Sequence, residues 1–250
     1  MSHSVHVDTF AREHLPPRDA WPEFLFELPS LVYPDRLNAA AELLDAALQK
    51  GWGERTAIVA PGDVRLTYAQ LCALANRIAH VLVADMGVVP GNRVLLRGRN
   101  SPMMAACWLA IVKTGAIAVA TMPLLRAREL TDVIDKAQVS HALCDARLAV
   151  ELDLARAACP TLDRIALFAT EAEDGVDAMA RGKPSLFDNV HTAADDTAMI
   201  AFTSGTTGRP KGTMHFHRDI LAACDCWPIH TLRASPDDLF TGSPPLAFTF

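Results

Sequence analysis

The chain has no basic excess: 23 lysines and arginines stand against 29 aspartates and glutamates, a formal charge of −6. It therefore carries no electrostatic footprint for nucleic acid, and any phosphate ligand would have to be held by a local site. It opens M-S-H-S-V-H-V-D, without a charged-then-apolar leader, so secretion is not indicated. Its six cysteines, at positions 72, 107, 144, 159, 224 and 226, lack a disulfide-scaffold spacing. Several fall in apolar surroundings where a free thiol acts as a small hydrophobe, which points to a reducing, cytoplasmic setting. No internal repeat, low-complexity run or clear interdomain linker interrupts the 250 residues. Half of them are hydrophobic and 21% charged, which excludes global disorder.

One stretch, residues 103–125, is almost wholly apolar. Lys113 stands at its middle, followed by Thr114 and Gly115, with Pro123 near its end. A continuous membrane span would hold that lysine at the bilayer centre, which is costly. A buried helix stopping at Gly115 and turning into a buried strand carries no such cost, so no membrane partner is expected.

The remaining pattern alternates strands and helices. Residues 1–35, punctuated by five prolines around Trp21, Phe24, Phe26 and Tyr33, predict an extended arm anchored by its aromatics. A helix is expected over 36–50, a strand over 56–60 and a turn at Pro61-Gly62-Asp63. Thr67, with Gln70 as its capping-box partner, opens a long helix that Gly87 ends. A strand over 93–97 leads to a helix over 102–113 capped by Asn100, then a buried strand over 117–121. An amphipathic helix bearing Leu130, Val133, Ile134 and Ala137 follows. Strands over 141–144 and 164–168 flank a helix over 146–157. Residues 171–196 read as loop with one short helical piece, 198–202 as a strand and 219–226 as the start of another helix. The alternation predicts an α/β fold with a substantially parallel sheet.

The strand at 198–202 delivers the most informative segment, I-A-F-T-S-G-T-T-G-R-P-K-G, residues 200–212. It holds three glycines, four hydroxyls and two cations. Glycine lets backbone N–H groups approach an anion closely. Thr203, Ser204, Thr206 and Thr207 add hydroxyl donors, and Lys211 a mobile charge. Pro210 stands where a Walker loop has glycine, and no G-x-G-x-x-G occurs.

Residues 200–211 resemble the AMP-binding signature of the adenylate-forming superfamily: acyl-CoA synthetases, peptide-synthetase adenylation domains and luciferases. Upstream, L-T-Y-A-Q-L at 66–71 and K-T-G-A through M-P-L at 113–124 resemble two further family motifs. G-N-R-V at 91–94 resembles the G-D-R-V turn, with Asn92 where aspartate is usual. P-L-A-F-T-F at 245–250 resembles P-L-F-H-x-x, with Phe248 where histidine is common. The arm, D-T-F-A-R-E-H-L-P-P, most resembles that of 2-aminobenzoate and benzoate CoA ligases.

The resemblance implies a partial AMP-binding domain over 36–250 behind an arm of 1–35. It implies a two-step reaction in the full-length protein: a small carboxylic acid attacks the α-phosphate of ATP, and coenzyme A then displaces AMP, with Mg²⁺ assisting. An aromatic acid of 2-aminobenzoate or benzoate type is the implied substrate. The alternatives are a medium-chain fatty acyl-CoA ligase, a carrier-protein adenylation domain, or a nucleotide-binding or scaffold module without turnover. Thr203, Ser204, Gly205, Thr206, Thr207, Gly208 and Lys211 are the implied phosphate-binding residues. Ala247 and Phe248 are acyl-pocket candidates, with a plain core phenylalanine equally open for the latter. No catalytic residue is identified. The family's adenine and magnesium segment, hinge and catalytic lysine are expected beyond Phe250, so the 250 residues alone are expected to be inactive.

His215, His217, Cys224, Cys226 and His230 match zinc-ligand spacing poorly, and His217 reads as a helix-start residue. Asp195-Asp196 reads as a solvated turn, and Trp108 and Trp227 as core.

Overall fold

The computed structural model describes residues 3–203, 210–242 and 244–247. The chain enters through an arm containing α1 (Phe10–Glu13) and two 3₁₀ turns. Its aromatics lie against the body: Trp21 is 5.3 Å from Phe216, and the Tyr33 hydroxyl donates to Asp225 at 2.8 Å. Polar contacts dock it as firmly. The amides of Val7 and Asp8 donate to the Pro90 carbonyl at 2.9 and 3.1 Å, and Asp8 pairs with Arg93 at 2.6 Å. Gly91 makes this approach feasible, with φ +89 and no room for a Cβ beside the Asp8 carbonyl.

The first long helix begins at residue 39 rather than 36. Arg36 is held in a bridge to Ala193, and the Asn38 side chain accepts from the Ala40 amide at 3.1 Å, as a capping residue does. A π-turn (Ala41–Asp45) leads into α2 (Ala46–Gln49), closed by Gly51 at φ +78.

Strands β1 (Thr56–Ala60) and β2 (Val64–Thr67) form an antiparallel hairpin about the expected turn. Thr67 ends β2 and at once caps α3 (Tyr68–His80): the Gln70 amide donates to its Oγ1 at 3.2 Å, and its own amide donates to Gln70 Oε1 at 2.9 Å. β3 (Arg93–Arg97) precedes α4 (Pro102–Lys113). The cap of α4 is Ser101, whose Oγ accepts from the Met104 amide at 3.1 Å, and not Asn100. Then follow β4 (Ile117–Thr121), α5 (Ala127–Ala137), β5 (His141–Asp145), α6 (Ala149–Arg156), β6 (Arg164–Phe168), α7 (Val176–Arg181), β7 (Thr197–Thr203), β8 (Lys211–Phe216) and α8 (His217–His230).

The six-stranded sheet has the order β6-β5-β3-β4-β7-β8, parallel throughout except for β8, which runs antiparallel to β7. Both faces are covered, as parallel sheets require. Helices α3 and α4 pack on one face with Ile78, Ile111 and Leu96 at the core. Helices α5 and α6 pack on the other with Ile134, Leu152 and Leu95. Among the described residues no helix is long and apolar enough to cross a membrane. Lys113, wholly buried, pairs instead with Asp45 and donates to Asn189 Oδ1 at 3.2 Å.

The cysteines are unpaired; Cys72, Cys107, Cys144 and Cys159 are buried. Two sequence expectations are corrected. Trp227 is not core but 59% exposed near the end of α8. Asp196 is not solvated but 2% exposed, because it accepts from the Val5 and Ala193 amides at 3.2 and 2.9 Å.

Candidate functional site

In an open α/β sheet, ligands settle outside the carboxyl ends of the strands, where the exit loops of neighbouring strands part to opposite faces. One such place here is the end of β3. Its exit loop turns to α4 on one face, while those of its neighbours β4 and β5 turn to α5 and α6 on the other.

The glycine- and hydroxyl-rich segment lies on the same edge. β7 runs parallel to β4, so its carboxyl end, Thr203, points that way. Thr203 pairs directly with Lys211 at the start of β8. The register therefore brings the two ends of residues 203–211 together as the closed base of a loop. Both are exposed, and among the described residues the Lys211 ammonium has no hydrogen-bonding or ionic partner. Ser204, Gly205, Thr206, Thr207 and Gly208 lie outside the described residues. Gly212 serves packing: a Cβ there would come within 3.0 Å of Ile200 Cγ2 and 3.2 Å of Phe202 Cζ.

Among the other cations near this edge, Arg97 and Arg147 are engaged within the protein, while Arg99 is exposed. Arg97, almost fully buried, donates to the carbonyls of Met122, Pro123 and Leu125 at 2.9, 3.0 and 2.9 Å. It thereby fixes the M-P-L turn after β4. At the end of β5, Arg147 donates to Asp145 through Nη2 and Nε at 2.5 and 2.9 Å. That side-chain hydrogen bond holds the Asp145 carboxyl below the usual carboxylate range.

A second wall comes from residues 244–247. The Asn100 amide holds this segment at two points: Nδ2 donates to the Pro244 carbonyl at 2.9 Å and Oδ1 accepts from the Leu246 amide at 2.6 Å. Leu246 rims an apolar recess of about 190 Å³ lined also by Leu96, Met104, Trp108 and Ala120. Ala247 is buried against the α3–α4 core. Phe248 lies outside the described residues. In the sequence Asn100 reads only as the cap of α4; its contacts to Pro244 and Leu246 leave no local signal.

The histidines of the H-x-H pair do not share a site. His215 sits 3.2 Å from Thr213 Oγ1. His217 is interior, its Nδ1 accepting from the Ala39 amide at 3.1 Å, and burial pushes its imidazole down to about 3. Among the described residues no group of three or more histidines, cysteines or carboxylates is placed to hold a metal.

A family profile described as AMP-binding enzyme matches residues 45–250. A 3-hydroxybenzoate/4-hydroxybenzoate CoA ligase of Thauera aromatica is 32% identical over 194 residues, 75% of this chain and 36% of that protein. The long-chain-fatty-acid CoA ligase FadD13 of Mycobacterium tuberculosis is 34% identical over 167 residues, 66% of this chain and 32% of that protein. Thus the matches span about a third of these curated relatives' length. Among solved structures, ATP-bound MatB from Rhodopseudomonas palustris superposes with a TM-score of 0.73 at 28% identity, covering 84% of this chain and 40% of that one.

Proposed function

The chain belongs to the AMP-binding enzyme family, and we propose that it builds two walls of the active site of an ATP-dependent acid–thiol ligase. The acid is an aromatic carboxylate of benzoate or 2-aminobenzoate type, the first product its acyl-adenylate, and the acceptor coenzyme A. The observation that carries this reading is the Thr203–Lys211 closure at the carboxyl edge of the sheet. It pins both ends of the signature segment where a nucleotide would lie and leaves there an ammonium with no partner among the described residues.

In the first step a carboxylate oxygen attacks the α-phosphorus of ATP and pyrophosphate leaves with the bonding pair. Negative charge builds on the leaving group, so donors already aimed at it lower the barrier. The hydroxyls of Thr203, Ser204, Thr206 and Thr207, the amides of Gly205 and Gly208, and the Lys211 ammonium supply them. Mg²⁺ would enter with the nucleotide and share the charge. The arm of residues 1–35 is an appendage to the partial adenylation domain over 36–250, and the unpaired thiols support a cytoplasmic setting.

The acid class is supported by the hydroxybenzoate ligase at 32% identity. FadD13 at 34% favours a fatty acid as the second reading. Acid-dependent ATP–pyrophosphate exchange by the full-length polypeptide separates them. Benzoates and 2-aminobenzoate should support exchange well above medium-chain fatty acids; the reverse order refutes the aromatic assignment. Lys211→Ala should lower kcat/KM for ATP about 100-fold with the KM for the acid little changed. An unaltered ATP dependence would remove Lys211 from the phosphate site.

A further inference from the structure

Asn100 carries no chemistry, yet it joins parts of the chain 144 and 146 residues apart. We propose that it is a positioning residue for acid activation, acting through the segment 244–247; this rests on the ligase reading above.

Its place in the fold comes first. Asn100 lies three residues beyond Arg97, the last residue of β3, in an exit loop that parts from those of both flanking strands. A crevice opens at such a point whatever the loops contain. The side chain is free for a role there, because Ser101 caps α4 without it.

Its contacts come second. A carboxamide carries a donor and an acceptor in one plane. Asn100 spends the donor on the Pro244 carbonyl and the acceptor on the Leu246 amide. Two hydrogen bonds to backbone groups two residues apart fix the segment's direction as well as its position. Leu246 is thereby held at the rim of the apolar recess, and Ala247 is committed to the core. The chain that carries Phe248 onward starts from a fixed point.

The distance to the phosphate loop comes third. β4 alone separates β3 from β7 in the sheet, so the strand that leads to Asn100 and the strand that ends at Thr203 stand about two strand spacings apart, roughly 10 Å. One wall fixes the nucleotide and the other the acid, and Asn100 governs the second. Loosening it should misplace the acid while leaving the nucleotide wall intact.

The test uses the full-length polypeptide and substitutes Asn100→Ala, which removes both bonds, and Asn100→Asp, which keeps the acceptor for Leu246 and loses the donor. Asn100→Ala should raise the KM for the acid about ten- to thirtyfold, with the KM for ATP within about twofold, and Asn100→Asp should fall between it and wild type. Amide hydrogen exchange at Leu246 should quicken in the alanine variant. Equal rises in both KM values, no rise, or unchanged exchange at Leu246 would overturn the role. If the wild-type protein prefers a fatty acid, the aromatic assignment falls, and the split measured with that acid still decides the role of Asn100. If it activates no carboxylic acid, both fall together.

Discussion

Removing either partner of the Lys113–Asp45 pair should cost very different amounts. Lys113 is wholly buried between α4 and the segment entering α2, whereas the Asp45 side chain is 25% exposed. Asp45→Ala strands an ammonium away from water with only Asn189 Oδ1, 3.2 Å away, to receive it. Breaking a buried pair from one side typically costs about 3–5 kcal/mol, because the remaining charge is neither solvated nor paired. Lys113→Met keeps the length of the side chain and deletes the charge. It leaves behind a carboxylate that water already reaches, so the loss should be about 1 kcal/mol. The double variant should sit close to Lys113→Met alone, since no unpaired ammonium remains.

Urea unfolding followed in parallel by tryptophan fluorescence and circular dichroism measures this, coincident curves licensing a two-state reading. At an m-value of about 3 kcal/mol/M, Asp45→Ala should lower the midpoint by about 1–1.7 M, and Lys113→Met by about a third of a molar. The double cycle should show a coupling of about 3–5 kcal/mol. Equal losses from the two single variants, or simple additivity, would refute the claim that the pair's value lies in satisfying the buried lysine. An acid on a neighbouring element thus lets the apolar stretch tolerate a cation at its centre.

Two further outcomes concern the amino edge of the sheet. Asn92 Nδ2 donates to Asp8 Oδ2 at 3.0 Å, so Asn92→Asp should set two carboxylates in contact and cost about 2 kcal/mol at neutral pH. Faster tryptic cleavage at Arg12 would report it, and the loss should shrink in acid, where one carboxyl takes the proton; a pH-independent loss would count against the contact. His217 has a folded pKa of about 3 against an ordinary 6.5, so between those values the unfolded chain binds a proton that the folded chain refuses. Its stabilising contribution is therefore full above about 6.5 and is lost as pH falls towards about 3. His217→Asn, which keeps an acceptor for the Ala39 amide, should flatten that part of the urea-midpoint profile; an unchanged slope would show the histidine is not its source.

Elements with one dominant local cause were legible in the sequence. β3, β4 and β6 are short apolar runs between turn signals, and the Thr67 cap is a reciprocal bond over three residues. What escaped depends on partners distant in sequence. Asn100 and Ser101 are equally good caps by residue type, and only residues 144–146 positions later decide between them. Asp196 reads as a solvated turn until Val5, 191 residues earlier, donates to it. β2 was hidden because its four residues run straight into the helix cap. Trp227 was assigned by size alone, and in fact faces outward. Of the candidate site, residue types marked out the glycine- and hydroxyl-rich segment, but the meeting of Thr203 with Lys211 required the antiparallel turn-back of β8, which composition does not encode. Ser204, Gly205, Thr206, Thr207, Gly208 and Phe248 lie outside the described residues, so their roles remain part of the proposal.

The two edges of the sheet treat charge in opposite ways, and this polarity bears on where chemistry is feasible. At the amino edge, Asp8 meets Arg93, Asn92 and the Phe10 amide, and the Arg93 guanidinium also serves the carbonyls of Gly91, Ala137 and Gln138. Asp196 binds two amides with Arg12 at 3.9 Å. The arm thus engages Asp8, Arg93 and Asp196 at that edge, and an anion arriving at Arg93 would have to break one of these contacts to be bound. At the carboxyl edge Arg97 is turned inward onto three carbonyls, while Lys211 is left facing water. In the proposed reading, a polyphosphate bound there breaks no pair among the described residues and adds charge-assisted bonds. Asn92 completes the contrast: aspartate in its place would confront Asp8, so this arm sequence and this departure from the family's turn belong together.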